Sequence, residues 1–196
     1  ADVLFLANIQ PDLQAQVREQ CSDARFVALD SMNLWIDIAR DSLVDVMKTV
    51  DCVVLNDAEL RQLTEKPSLL GAAREVMSWG PSSVVAKQGE YGCALFTQEG
   101  FFALPAFPLE SVLDPTGAGD SFAGGLVGYV AAHPDDPVDH KLLGRAMAYG
   151  TALASFNVEE FGTERVQRLT QEEIRERVKL LAGMTHFEDG PVTLRG

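Results

Sequence analysis

A chain of 196 residues with 46% hydrophobic composition is long enough to bury a sizeable core and fits one domain better than two. Its 16 basic residues stand against 29 acidic ones, a net charge of −13, and no Lys/Arg cluster is present to track a nucleic-acid backbone or an anionic membrane. Both partner classes are thereby disfavoured, whereas an anionic small molecule is not, because backbone N–H groups at a helix N-terminus bind phosphate whatever the net charge.

In chain order, Val3 to Ala7 reads as a strand, followed by a helix from about Pro11 to Cys21 with Leu13, Val17 and Cys21 on one face. Phe26 to Leu29 is the next strand. A helix around Leu43 to Val50 leads into the strand Cys52 to Leu55, then a short helix from Asp57 and another near Leu69 to Trp79. Ser83 to Lys87 is again a strand. Short apolar runs alternating with helical periods predict βαβ units on a largely parallel sheet covered on both faces, a three-layer α/β/α sandwich.

After Lys87 the pattern changes. Tyr91 to Thr97, a Gln-Glu-Gly turn and Phe101 to Leu104 read as an antiparallel hairpin or meander. From Gly119 the chain is helical, with Phe122, Leu126 and Tyr129 on one face; Leu143, Met147 and Gly150 repeat the spacing after a break at Pro134 and Pro137. A last helix opens at Thr170, where Thr170 and Glu173 fit a capping box, and residues 183–196 read as an irregular tail. There is no internal repeat.

Cys21, Cys52 and Cys93 are odd in number and sit in apolar stretches, as unpaired core thiols do, which suggests a reducing, cytoplasmic compartment. His133, His140 and His186 have no metal-ligand spacing. No apolar run approaches the roughly 20 residues that span a bilayer.

The chemistry concentrates in Asp114-Pro115-Thr116-Gly117-Ala118-Gly119-Asp120, just ahead of an amphipathic helix. Gly117, Ala118 and Gly119 have almost no side chain to obstruct approach, so their N–H groups can converge on an anion while the helix dipole adds positive charge. Asp120 stands beside that hole, where a carboxylate can take the proton of a hydroxyl attacking a phosphoryl group. The tetrapeptide by itself reads equally as a tight turn with Asp120 serving the helix start.

Two further elements follow predicted strands. Asn56-Asp57-Ala58-Glu59 offers an amide and a carboxylate suited to a hard cation, and the same spacing is a capping box. Lys87-Gln88-Gly89-Glu90-Tyr91-Gly92 has the Gly-x-x-Gly spacing of many hairpins, with Lys87 either a point charge for phosphate or a surface lysine.

Position by position, Asp114 to Val127 is similar to the C-terminal signature of PfkB/ribokinase carbohydrate kinases. The Asn56 to Glu59 and Lys87 to Gly92 elements resemble that family's Asn-x-x-Glu motif and nucleotide-side turn. The resemblance implies ATP and Mg²⁺ as cofactors, a cytoplasmic kinase of a sugar or nucleoside-like hydroxyl, Asp120 as base and Gly117 to Gly119 as anion hole. It further implies Mg²⁺ held through water at Asn56 and Glu59, and a K⁺ site bordered by Asp114 and the Thr116 carbonyl. Lys87, Gly89 and Gly92 are then nucleotide contacts, with Asn157 and Gly162 in the stretch that walls the adenine and completes the cation site, by a looser, positional match.

Asp30-Ser31-Met32-Asn33-Leu34-Trp35 resembles the Asp-x-Asn-x-Arg stretch of many sugar kinases, with altered spacing and no arginine, which weakens the case for an acidic sugar. Family members begin with a further portion carrying a sugar-binding Gly-Gly motif and a lid through which they commonly dimerise. This chain starts at Ala1 in a strand-like run, so a ribokinase-like fold truncated at its N-terminus is expected, with a homodimer through the lid. Competing readings are a vitamin-precursor kinase of the same superfamily and a nucleotide-binding module without catalysis. A dinucleotide-binding dehydrogenase is disfavoured, since no Gly-x-Gly-x-x-Gly follows the first strand.

Overall fold

The computed structural model describes residues 2–186. Strands β1 (Val3–Leu6), β2 (Phe26–Asp30), β3 (Cys52–Asn56), β4 (Ser83–Lys87), β5 (Cys93–Thr97) and β6 (Phe101–Leu104) form one sheet in sequential order. The first four run parallel, and β4, β5 and β6 continue as an antiparallel meander. Parallel neighbours need a crossover, and helices supply it: α1 (Pro11–Gln20) between β1 and β2, then α2 (Asn33–Ile38) with α3 (Arg40–Met47), then α4 (Asp57–Thr64) with α5 (Leu69–Trp79). Helices α6 (Ala118–Ala131), α7 (His140–Asn157), α8 (Glu164–Gln167) and α9 (Gln171–Thr185) follow the meander.

Both faces of the sheet are buried, and the period-2 alternation of the strands sorts their side chains between two cores. Val27, Leu29, Val53, Leu55 and Val84 face Leu43, Met47, Leu60, Leu63 and Val76 of α3, α4 and α5. Phe26, Ala28, Cys52, Val54 and Val85 face Phe122, Leu126, Leu143 and Met147 of α6 and α7. The three layers are those the sequence predicts. Burial pushes the thiols of Cys52 and Cys93 up to about 12 and about 11, so neither is nucleophilic at neutral pH.

Helix α1 departs from its predicted face. Leu13 and Val17 are 40% and 43% exposed, while Pro11 and Gln14 are buried. A hydrogen-bonding demand decides the orientation: Gln14 Nε2 donates to the carbonyls of Leu6, Ala7 and Asp30 at 3.2, 2.9 and 2.9 Å, satisfying backbone oxygens at the ends of β1 and β2. Helix α2 falls where no helix is predicted, and α3 opens at Arg40 rather than Leu43. Helix α9 runs through Gly183 to Thr185, correcting the start of the expected irregular tail; residues 187–196 lie outside the described residues.

Helices α6 and α7 pack backbone to backbone. A Cβ on Gly125 would stand 2.8 Å from Gly150 Cα, and one on Gly150 would stand 2.6 Å from the Phe122 carbonyl oxygen, so only glycine fits at this crossing. That approach fixes α6, and with it the turn at its N-terminus. No helix among the described residues is long and apolar enough to cross a membrane.

Candidate active site

Asp30, Asn56 and Lys87 are the last residues of β2, β3 and β4, three neighbouring parallel strands. Asn56 and Lys87 are direct partners in the ladder. The carboxyl rim of a parallel sheet is where α/β proteins place ligands, because loops diverge there and helix N-termini point in. Lys87 Nζ reaches across to Asp30 Oδ2 at 2.9 Å, with the two side chains 20% and 7% exposed. Burial pushes the Asp30 carboxyl above its ordinary range; Lys87 and the Ser31 N–H oppose that shift, and the charge of Asp120 adds to it. Asp120 is thus an electrostatic neighbour of the rim.

Asn56 and Glu59 close a reciprocal capping box at the start of α4. Asn56 Oδ1 accepts from the Glu59 N–H at 2.7 Å, and Glu59 Oε2 accepts from the Asn56 N–H at 2.8 Å. Burial raises the Glu59 carboxyl, opposed by the Asn56 N–H and by Lys87 and reinforced by Asp30. Glu59, Lys87, Asp30 and Asp120 therefore share one electrostatic neighbourhood despite lying far apart in sequence.

The turn at Gly117 completes the rim from the other side. Gly117 is the N-cap of α6 at φ 81°, a left-handed conformation that favours glycine, and no side chain caps this end. Ala118 and Gly119 form the first helical positions, one residue earlier than predicted. The Gly119 and Asp120 N–H groups have no backbone acceptor, since the turn's bonds run from Ala118 to Pro115 and from Ser121 to Gly117. A Cβ on Gly119 would stand 3.5 Å from Lys87 Nζ, so the lysine lies directly over this helix start. The Asp114 to Asp120 segment does not leave a strand end directly; residues 105–117 intervene without regular structure.

A cavity of about 660 Å³ opens beside Lys87. Lys87, Gly89, Gly92, Ala118 and Gly119 line one part of it, and Phe107, Pro108, Leu109, Val112 and Ala154 add apolar wall. Gly92 is required there by geometry: at φ 102° a Cβ would overlap the Leu104 carbonyl oxygen at 2.0 Å. Asn56, Glu59, Asp114, Thr116, Gly117, Asp120, Asn157 and Gly162 are outside the lining. Lys87 is the boundary between the cavity and the carboxylate-bearing rim.

Asn157 lies outside the cavity lining and beside the Thr116 carbonyl. It is buried, donating from Nδ2 to the Thr116 carbonyl at 2.7 Å and accepting at Oδ1 from Ser121 Oγ at 3.0 Å, so its amide ties the Gly117 turn to α7. Asp114 Oδ1 accepts from the Thr116 N–H at 2.9 Å, and that bond, with a lesser contribution from the Gly162 N–H, holds the Asp114 carboxyl below its ordinary range. Both oxygens expected to border a K⁺ ion thus already accept a hydrogen bond.

Among the described residues no three His, Cys, Asp or Glu side chains converge as a metal cage. The oxygen donors at the rim instead suit Mg²⁺, which keeps most of its water and takes one or two carboxylates plus substrate phosphates. Sequence reasoning missed the 105–112 wall, which has no periodicity, and assigned Asp30 to substrate choice alone. A buried Asp closing a fully apolar strand is the signal that marks it.

Fold and rim together define an α/β protein whose candidate ligand site lies at the carboxyl ends of its parallel strands. The profile of the pfkB family of carbohydrate kinases matches residues 1–168, and the chain belongs to that family. It is 38% identical over 98 residues to cytidine kinase of Thermococcus kodakarensis, covering 48% of this chain and 35% of the relative. It is 34% identical over 107 residues to fructokinase-2 of Zea mays, covering 53% and 30%. The crystal structure of aminoimidazole riboside kinase from Salmonella enterica, complexed with aminoimidazole riboside and an ATP analogue, superimposes with TM-score 0.75 at 22% identity, covering 90% of this chain and 62% of that one. The chain spans only part of its relatives' length.

Proposed function

We propose that this chain forms the nucleotide-binding and phosphoryl-transfer part of an ATP-dependent kinase acting on a hydroxyl of a sugar or nucleoside. The observation that carries the reading is Lys87, which lines the apolar cavity, lies over the Gly119 helix start and pairs with a carboxylate of the rim. A nucleotide in the cavity would present its phosphates to Lys87 and to the free N–H groups of α6. The substrate oxygen attacks the γ-phosphorus, the bond to the β–γ bridging oxygen breaks, and ADP departs. The hydroxyl proton passes to the Asp120 carboxylate, which is exposed at the first turn of α6 and free of any cap duty.

Glu59 and Asn56, with Asp30 beside them, would hold Mg²⁺ through its water shell, and the ion would neutralise charge on the phosphates. Their capping box keeps Glu59 Oε2 bonded to backbone, which fixes the carboxylate's direction without consuming its second oxygen. Asp114 Oδ1 and the Thr116 carbonyl each accept one hydrogen bond, which fixes their direction and leaves Asp114 Oδ2 and the carbonyl's second lone pair for a monovalent cation.

The substrate class is tested by measuring ADP release from ATP and Mg²⁺ with a panel of ribonucleosides and hexoses. The reading predicts acceptor-dependent ADP release with at least one of them. Binding of ATP with no acceptor-dependent turnover across the panel would favour a nucleotide-binding module instead.

A further inference from the structure

Helix α9 carries none of the motif residues and lies beyond residue 168, where the family match ends. One of its side chains, Arg177, is outside the cavity lining but touches two residues that form it. Arg177, 15% exposed, donates from Nη1 to Ser155 Oγ at 3.0 Å, and its Nη2 pairs with Glu159 Oε1 at 2.7 Å. Its Cζ lies 3.4 Å from the Phe156 ring centroid and 4.6 Å from that of Phe107. Two of these four partners, Ser155 and Phe107, line the cavity.

Phe107 needs such a partner. It sits in the stretch from Pro105 to Val112, which forms no backbone–backbone hydrogen bond among the described residues, so no ladder fixes this wall. Arg177 itself is well fixed. Its N–H groups are directed at Ser155 and Glu159, and the Glu159 carboxylate is shared with Arg165, whose Cζ lies 4.6 Å from the same Phe156 ring. A guanidinium bonded through its edge keeps its faces for aromatic rings, an arrangement that lysine cannot reproduce.

We propose that Arg177 is a positioning residue for recognition of the nucleotide base: by holding Phe107 against the cavity it sets the apolar wall on which a base stacks. The proposal rests on the cavity being a nucleotide site. Arg177 gives no hydrogen bond to Lys87 or to the start of α6, so it acts on the base end and leaves the phosphate end alone.

Isothermal titration calorimetry with Mg-ATP and with inorganic triphosphate, on wild type, Arg177→Met, Phe107→Leu and the double variant, tests this. The expected result is that Arg177→Met weakens ATP binding about tenfold while triphosphate binding stays within about twofold. Phe107→Leu, which leaves the bonds of Arg177 to Ser155 and Glu159 in place, should show the same selective loss, and adding Arg177→Met to it should cost little more. Unchanged ATP affinity in either single variant, equal losses for ATP and triphosphate, or fully additive losses in the double variant would overturn the proposal. Wild-type protein that binds ATP no better than triphosphate would instead overturn the reading of the cavity as a nucleotide site.

Discussion

Lys87 Nζ stands 2.9 Å from Asp30 Oδ2, an ion pair that joins the end of β4 to the end of β2 across the intervening strand β3. It closes the rim at the point where the cavity begins, and both partners are largely buried. Removing one member of such a pair strands the other in a poorly solvated position, which costs several kcal/mol, whereas replacing both is nearly neutral. Lys87→Met should therefore destabilise the fold by about 2–3 kcal/mol, and Asp30→Asn in the same chain should recover most of that loss. Urea midpoints of the two variants decide it; a single substitution that leaves the midpoint unmoved would make the pair energetically idle.

The same burial makes a statement about pH. The Asp30 carboxyl is raised from 3.8, so the folded chain holds this proton more tightly than the unfolded chain does. Stability contributed by this group is then highest at acid pH and falls as pH rises from 3.8 through the raised value. Glu173 behaves oppositely: bonds from Thr170, then from Arg165, lower its carboxyl to about 2, so its contribution is complete above 4.5 and lost as pH falls through about 2. Asp30→Asn should flatten the loss of stability that sets in as pH rises above 3.8, and Glu173→Gln should flatten the acid limb. Chemical denaturation across pH measures both slopes, and an Asp30→Asn profile parallel to wild type would remove Asp30 as the source.

Asn157 is the strut of the Gly117 turn. Replacing it with leucine removes the hydrogen bonds to the partly exposed Thr116 carbonyl and Ser121 hydroxyl, each worth about 0.5–1.5 kcal/mol net. The expected outcome is a lower melting temperature together with weaker triphosphate binding, because the Gly117 turn is no longer pinned to α7. Weaker ATP binding with triphosphate binding retained would return Asn157 to the adenine wall.

The crossing of α6 and α7 predicts a purely steric effect. Gly150→Val drives side-chain carbon into the Phe122 carbonyl and ring, an overpacking that costs about 1–3 kcal/mol or more where backbone must move. Gly124→Ala, on the partner helix α6 with open space around its Cβ position, should be neutral or slightly stabilising. Equal melting temperatures for the two variants would contradict the close approach.

Strands β2, β3 and β4 were readable from sequence because strands buried on both faces appear as unbroken apolar runs between turn residues. The helix start at Gly117 was readable because small residues at a helix N-terminus have a local conformational reason. The inner face of α1 was not, since the apolar pattern selects Leu13 and Val17 while the interior required Gln14 to satisfy three carbonyls. The 105–112 wall was not either, as irregular backbone leaves no period. Pairings such as Asp30 with Lys87 or Arg177 with Phe107 join distant segments, and only the completed sheet and helix layers bring them together.

Asp120 is the residue on which the proposed phosphoryl transfer depends most directly. Asp120→Asn keeps the size of the side chain and its compatibility with a helix start, and it cannot take a proton at neutral pH. General-base assistance is worth about 10² to 10⁴ in rate, so turnover with a saturating acceptor should fall at least about a hundredfold. ATP affinity should hold or rise slightly, because the α6 N–H groups are untouched and a negative charge near the phosphates is removed. Steady-state turnover and ATP titration of the same variant in the intact protein measure both. A large loss of turnover with ATP binding retained is the predicted result, and near-normal turnover would contradict the account by leaving the site a phosphate cradle without its base.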